Sequence, residues 1–137
     1  MTTDAIVLDA SAYIQSLTQP SGAGAVIRTR LEHSTRWIVP GFFDLECLAV
    51  CRRFPQGRQR EEVTNRVVLA LGVSLLERVD VHPFLPRIRQ LLPNVTSFDA
   101  AYVVTAEAYR APLLTCDQRL SKAFGPRCEF EVYGQPA

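Results

Sequence analysis

The sequence predicts an α/β domain built on a largely parallel sheet, and three observations carry that reading. Short apolar runs of strand-forming residues alternate with helical stretches along the chain. The first run, Ala5-Ile6-Val7-Leu8, is apolar on both faces, as a strand is when helices cover a sheet above and below. Two runs end abruptly in an acid, Asp9 after the first and Asp117 after a later one. In parallel sheets the working groups stand just beyond the carboxyl ends of the strands.

Each element has a local reason. Ala12 to Leu17 has helical character, and Gln19-Pro20-Ser21-Gly22 marks a loop. A helix follows from Gly24 to Glu32, with Ala25, Ile27 and Leu31 as candidate core residues. Trp37-Ile38-Val39 reads as a short buried strand stopped by Pro40-Gly41. From Phe42 to Phe54, Phe43, Cys47, Val50 and Phe54 recur at helical intervals. Pro55-Gln56-Gly57 breaks this helix, and Gln59 to Leu71 forms a second one ended by Gly72, so the two make an antiparallel hairpin. Leu75 to Val81 is the third strand, and Pro83 opens a short helix through Leu92 that Pro93-Asn94 ends. The clearest helix runs from Ser97 to Tyr109, with Thr96 or Ser97 placed to cap it. Leu113-Leu114-Thr115 is a fourth strand, Gln118 to Phe124 a last helix, and Phe130 to Tyr133 a final strand.

Composition narrows the class. The 137 residues, of which 47% are hydrophobic, are expected to form one domain spanning 1–137 with a substantial core. No apolar run approaches the roughly 20 residues of a membrane helix. The start, Met1-Thr2-Thr3-Asp4, lacks the basic residues of a signal peptide, so a cytoplasmic protein is expected. Cys47, Cys51, Cys116 and Cys128 have no CxxC pairing and read as small, reduced core residues. The net charge is only +1, but Arg52, Arg53, Arg58, Arg60 and Arg66 fall close together in the hairpin. That stretch is either a solvated helical surface or a grip for phosphates, which guanidinium groups bind in a bidentate way.

Four acids carry the chemical argument. Asp9 and Asp117 end the first and fourth strands, Asp99 starts the Ser97 helix, and Glu46 lies early in the helix after the Trp37 strand. Helices that follow parallel strands begin at the strands' carboxyl edge, so all four can meet in one cleft. Each acid also has a structural reading as a helix cap, a dipole partner or a surface residue. Asp44 competes with Glu46, and because about 200° of helical rotation separates them, only one can face the cleft. Four carboxylates together would raise one another's pKa values unless a cation neutralised them. Oxygen donors with little histidine or cysteine suit Mg²⁺ or Mn²⁺, which serve phosphoryl chemistry by activating water and clamping a phosphodiester. Ser11 and Thr115 each lie two residues from an acid, where a hydroxyl either steadies a carboxylate or satisfies local backbone groups. A nucleophilic triad or a glycine-rich phosphate loop is not found.

These elements resemble the PIN-domain ribonucleases, and within them the toxins of VapBC toxin–antitoxin pairs. The resemblance rests on Ile6-Val7-Leu8-Asp9-Ala10-Ser11, on Pro40 with Glu46 six residues on, on Ser97-Phe98-Asp99-Ala100-Ala101-Tyr102 continuing to Ala106-Glu107, and on Leu113 through Leu120. It implies a three-layer α/β/α sandwich with Asp9, Glu46, Asp99 and Asp117 as an acidic site for Mg²⁺ or Mn²⁺. It further implies cleavage of RNA by endonucleolytic hydrolysis, a homodimer, and a cognate antitoxin that silences the cleft. Arg52, Arg53 and Arg119 are then candidates for contacting RNA or antitoxin. The alternatives are a non-toxin RNA-processing nuclease of the same fold and an inactive RNA- or protein-binding module. A signalling receiver domain also sets acids at strand ends, but with an adjacent acid pair, whereas Asp9 stands alone.

Overall fold

The computed structural model describes residues 4–134; Met1 to Thr3, on which the reading of the acidic start largely rests, lie outside the described residues. In chain order the elements are β1 (Ala5–Leu8), α1 (Ala10–Thr18), α2 (Ala23–Glu32), β2 (Arg36–Pro40), α3 (Phe43–Cys51), α4 (Arg58–Val73), β3 (Leu76–Val79), a 3-10 turn (His82–Phe84), α5 (Leu85–Leu91), α6 (Ser97–Tyr109), β4 (Leu113–Thr115), α7 (Gln118–Ser121) and β5 (Phe130–Val132). The sheet is parallel throughout, in the order β3-β2-β1-β4-β5. Residues Ile6 and Val7 face Trp37 and Ile38 across one side of β1, and Val7 and Leu8 face Leu113 and Leu114 across the other.

Strand order explains where a site can form. The chain steps outward from β1 through β2 to β3, then returns to the opposite side of β1 for β4 and β5. Where such an order reverses, here between β1 and β4, the loops leaving the carboxyl ends diverge and open a crevice.

Helices cover the sheet to give a three-layer α/β/α arrangement. Helix α6 packs across β1, β2 and β4 with α5 beside it, while α1 lies against β4 and gathers α2, α3 and α4. Ile6, Val7, Leu8, Ile38, Val39, Leu113 and Leu114 are fully buried, and Tyr13, Ile27, Phe43 and Tyr102 fill the space between helices and sheet. Burying each such side chain is worth about 1.5–3 kcal/mol. Where α1 meets α2, Gly24 is required: a Cβ there would lie 2.5 Å from Gln19 Cβ and from the Gln19 carbonyl oxygen. Among the described residues no helix is long and apolar enough to cross a membrane.

Several boundaries differ from the sequence reading. Gly72 does not end α4, which runs on to Val73; Ser74 closes it by donating to the Ala70 carbonyl at 2.8 Å. Nothing near Gly72 requires a glycine. Helix α7 stops at Ser121 instead of reaching Phe124, because the N–H groups of Lys122 and Ala123 donate to the carbonyls three residues back, those of Arg119 and Leu120, at 3.2 and 3.1 Å, and tighten the chain out of the helix. Helix α6 matches its expected span, with Thr96 Oγ1 accepting from the Asp99 N–H at 3.2 Å and Arg110 closing it in the left-handed conformation.

Candidate active site

Asp9 leaves β1 with its N–H still donating to the Leu114 carbonyl at 2.9 Å, and only 7% of the residue is exposed. Its side chain makes no cap hydrogen bond to α1. Asp9 Oδ2 instead accepts from Thr115 Oγ1 at 2.6 Å and from Ser11 Oγ at 3.0 Å. Both hydroxyls also accept: Thr115 Oγ1 from the Asp117 N–H and Ser11 Oγ from the Cys116 N–H, each at 3.1 Å. Thr115 thus bonds a carboxylate and a local backbone N–H at once, whereas Ser11 bonds the carboxylate and a backbone N–H 105 positions away.

Asp117 caps α7, its Oδ1 accepting from the N–H groups of Arg119 at 2.9 Å and Leu120 at 3.2 Å. Capping occupies one carboxylate oxygen and fixes the rotamer. Asp99 sits in the first turn of α6 and Glu46 in the first turn of α3. Asp44 turns the other way and forms a bidentate pair with Arg78 at 2.7 Å, which holds its carboxyl below the ordinary range. The helical pitch thus selects Glu46.

Asp9, Glu46, Asp99 and Asp117 line one cleft of about 1080 Å³, together with Ser11, Arg53 and Arg119. Thr115 acts from beneath it through Asp9. Arg52 does not line the cleft. Most of the arginine-rich stretch has structural partners: Arg60 donates to the Phe54 and Arg52 carbonyls, Arg66 to the Leu17 carbonyl, and Arg58 pairs with Glu62. Those bonds tie α4 to the loop before it and to α1.

The electrostatics are those of a buried acidic pocket, in which Arg53 only partly offsets the rise of Glu46. Burial raises the Asp9 carboxyl, the Thr115 and Ser11 hydroxyls oppose that rise, and Asp117 adds to it. Burial likewise raises Glu46, with Asp9 and Asp99 contributing, and raises Asp99, with Asp9 and Asp117 contributing. Among the described residues none of the four forms an ion pair. The buried Tyr102 hydroxyl beside Glu46 opposes the rise of that carboxyl, although among the described residues it makes no hydrogen bond of close geometry. An all-oxygen donor set of this charge fits a hard divalent cation. Among the described residues, however, no three acid, histidine or cysteine side chains stand close enough together to hold one as they are placed.

The sequence reading did not single out the apolar wall of the cleft, formed by Phe42, Leu45, Val50 and Phe98. Its available signal was the exposed position of Phe98 directly before Asp99. Cys116 also lines the cleft, half-buried, with burial pushing its thiol up to about 11. Cys47 and Cys51 are core residues as expected, and all four cysteines are free.

The PIN domain family model matches residues 6–125. Ribonuclease VapC12 of Mycobacterium tuberculosis is 37% identical over 134 residues, covering 93% of this chain and 98% of the relative. Ribonuclease VapC1 of the same organism is 33% identical over 133 residues, covering 94% and 98%. A structure of FitAB bound to a DNA fragment superposes with a TM-score of 0.65 over 93% of this chain and 94% of that one, at 15% identity, which speaks to the fold alone. With its fold and its sequence in agreement, this chain belongs to the PIN-domain family, in the branch of the VapC ribonucleases.

Proposed function

We propose that this protein is the toxin endoribonuclease of a toxin–antitoxin pair and hydrolyses RNA phosphodiester bonds in the acidic cleft. One observation carries the reading: Asp9, Glu46, Asp99 and Asp117, from four separate segments, line one cleft at the strand-order reversal, and among the described residues none of them is tied up in an ion pair. The named ribonucleases among its relatives support the same activity.

Asp9, Asp99 and Asp117 would hold Mg²⁺ or Mn²⁺. When bound, such an ion lowers the pKa of water and offsets charge on the phosphodiester. The chain's own residues do the rest. Thr115 and Ser11 fix the Asp9 carboxylate, and Asp117 is fixed by its capping bonds, so two donors keep their orientation without help from a ligand. Glu46, its carboxyl raised by burial and by its acidic neighbours, is suited to accept a proton from the attacking water and to return it to the leaving oxygen. Arg53 and Arg119 line the cleft and offer cationic contacts to flanking phosphates.

A single domain, a homodimer, a cytoplasmic location and a cognate antitoxin that blocks the cleft complete the proposal. The test is cleavage of total RNA by the purified protein with Mg²⁺ or Mn²⁺, with EDTA, and beside Asp99→Ala. Discrete fragments lost with EDTA and with the substitution are expected. Equal cleavage by both proteins would remove this site from the mechanism.

A further inference from the structure

The cleft carries an aromatic feature that the acids do not require. Phe98 directly precedes Asp99 at the start of α6 and is 58% exposed, yet its ring is held in place. Phe42 packs against it edge-to-face at 5.0 Å between centroids, and Phe42 in turn packs edge-to-face on the fully buried Tyr102 at 5.6 Å. The three rings form a ladder from the core to the mouth of the cleft, so the outermost ring is positioned without being covered. Leu45, 72% exposed, extends the same apolar wall.

A ligand that meets this wall must also satisfy Arg53 and Arg119, which line the same cleft. It therefore needs anionic groups for the guanidinium groups and a flat apolar face for the ring. Single-stranded nucleic acid has both, and base stacking on aromatic side chains is its common mode of recognition. A base inside a duplex has its faces covered by its neighbours and offers none to Phe98.

We propose that Phe98 is a specificity-determining residue whose ring stacks on an unpaired base next to the scissile phosphate, so that cleavage requires an unstacked nucleotide there. This rests on the reading of the protein as an RNA-cleaving enzyme. Phe98 makes no bond to the reacting atoms; it decides which phosphate reaches them.

The experiment compares wild type, Phe98→Leu and Phe98→Trp on an unstructured RNA and on the same RNA with abasic sites flanking the mapped cleavage position, in Mn²⁺. With the intact RNA, kcat/KM is expected to fall about 5- to 150-fold in Phe98→Leu and to be kept in Phe98→Trp, the range that loss of one stacked base covers. With an abasic site at the stacking position, wild type should fall to the level of Phe98→Leu, and the substitution should have no further effect. Equal kcat/KM of wild type and Phe98→Leu on intact RNA, or an abasic penalty that Phe98→Leu still suffers in full, would overturn the proposal. A second readout does not depend on turnover: in EDTA, a single-stranded RNA carrying 2-aminopurine should be quenched on binding wild type and Phe98→Trp but not Phe98→Leu. Quenching without cleavage would leave the stacking intact while the catalytic reading failed. If Phe98→Leu quenched and cleaved as wild type does but lost affinity for the antitoxin, the ring would belong to a protein interface and the proposal would be wrong.

Discussion

Thr115 Oγ1 donates to Asp9 Oδ2 at 2.6 Å, joining two residues 106 positions apart at the carboxyl ends of adjacent strands. The same oxygen accepts from the Asp117 N–H, so one buried hydroxyl orients two of the four acids. Thr115→Val keeps the shape and removes both bonds. It should cost about 1–3 kcal/mol in urea denaturation, the range for leaving a buried polar group without its partner. RNA cleavage per folded molecule should also fall, and Thr115→Ser should restore most of both.

Charge in the cleft should set the pH dependence of the metal-free protein. Burial is the first cause that raises Asp9, Glu46 and Asp99; Asp117 adds to the rise of Asp9, Asp9 and Asp99 to that of Glu46, and Asp9 and Asp117 to that of Asp99. The folded state therefore keeps protons that the unfolded chain has released. Their contribution to stability is fully present below the ordinary carboxylate range and is lost as pH rises through the raised values. Asp44, lowered by Arg78, has the opposite sign, its contribution being present above the ordinary range and lost as pH falls through the lowered value. Asp99→Asn removes one raised group. Denaturation in EDTA should show the variant gaining on wild type as pH rises from the ordinary carboxylate range towards neutrality, by on the order of 1 kcal/mol. A constant difference across that range would show that the Asp99 carboxyl is not raised in the folded protein.

Divalent cations should reverse that penalty. An ion that binds only the folded state stabilises it by about 2.7 kcal/mol at a hundred times its Kd. Thermal melts of wild type should rise with Mn²⁺ concentration, more at pH 8 than at pH 5. Asp99→Asn should respond far less.

Far from the cleft, Arg87 and Glu107 form a two-toothed pair at 2.9 and 3.0 Å, and Glu107 also accepts from the Arg127 N–H while Arg87 donates to the Gly125 carbonyl. This clamp holds the segment between α7 and β5 against α5 and α6. Glu107→Ala should cost about 2–4 kcal/mol, since it leaves a largely buried guanidinium without its partner. Cleavage per folded molecule should stay at the wild-type level. A loss of rate at full folding would show that the clamp also sets the position of Asp117.

Much of this was legible in the sequence because the signals were local. β1 and β4 are continuous apolar runs ending in acids, and α6 has its cap, its small apolar residues and a stop at Arg110-Ala111-Pro112, so existence and order could be read directly. Boundaries were less legible, since Gly72 interrupts helical propensity by only about 1 kcal/mol and tertiary packing carries α4 past it. The choice between Asp44 and Glu46 depended on Arg78, a residue on the neighbouring strand that no local pattern connects to α3. Likewise, the arginine cluster looked like one patch in the sequence because no residue pattern shows that Arg60 turns back to the carbonyls of Phe54 and Arg52 or that Arg66 reaches Leu17, 49 positions away. In the ladder of Phe42, Phe98 and Tyr102, the last two stand four residues apart on one face of α6, but nothing local links them to Phe42 at the start of α3.

Because β1 lies at the centre of the sheet and β4 pairs with it only after about a hundred intervening residues, order of synthesis matters. A growing chain that has not yet made Thr115 and Asp117 has Asp9 without its strongest hydrogen bond, and the crevice lacks one wall. Incomplete chains on the ribosome should therefore be harmless. For a nuclease made amid the cell's RNA, that central strand confines activity to the finished molecule.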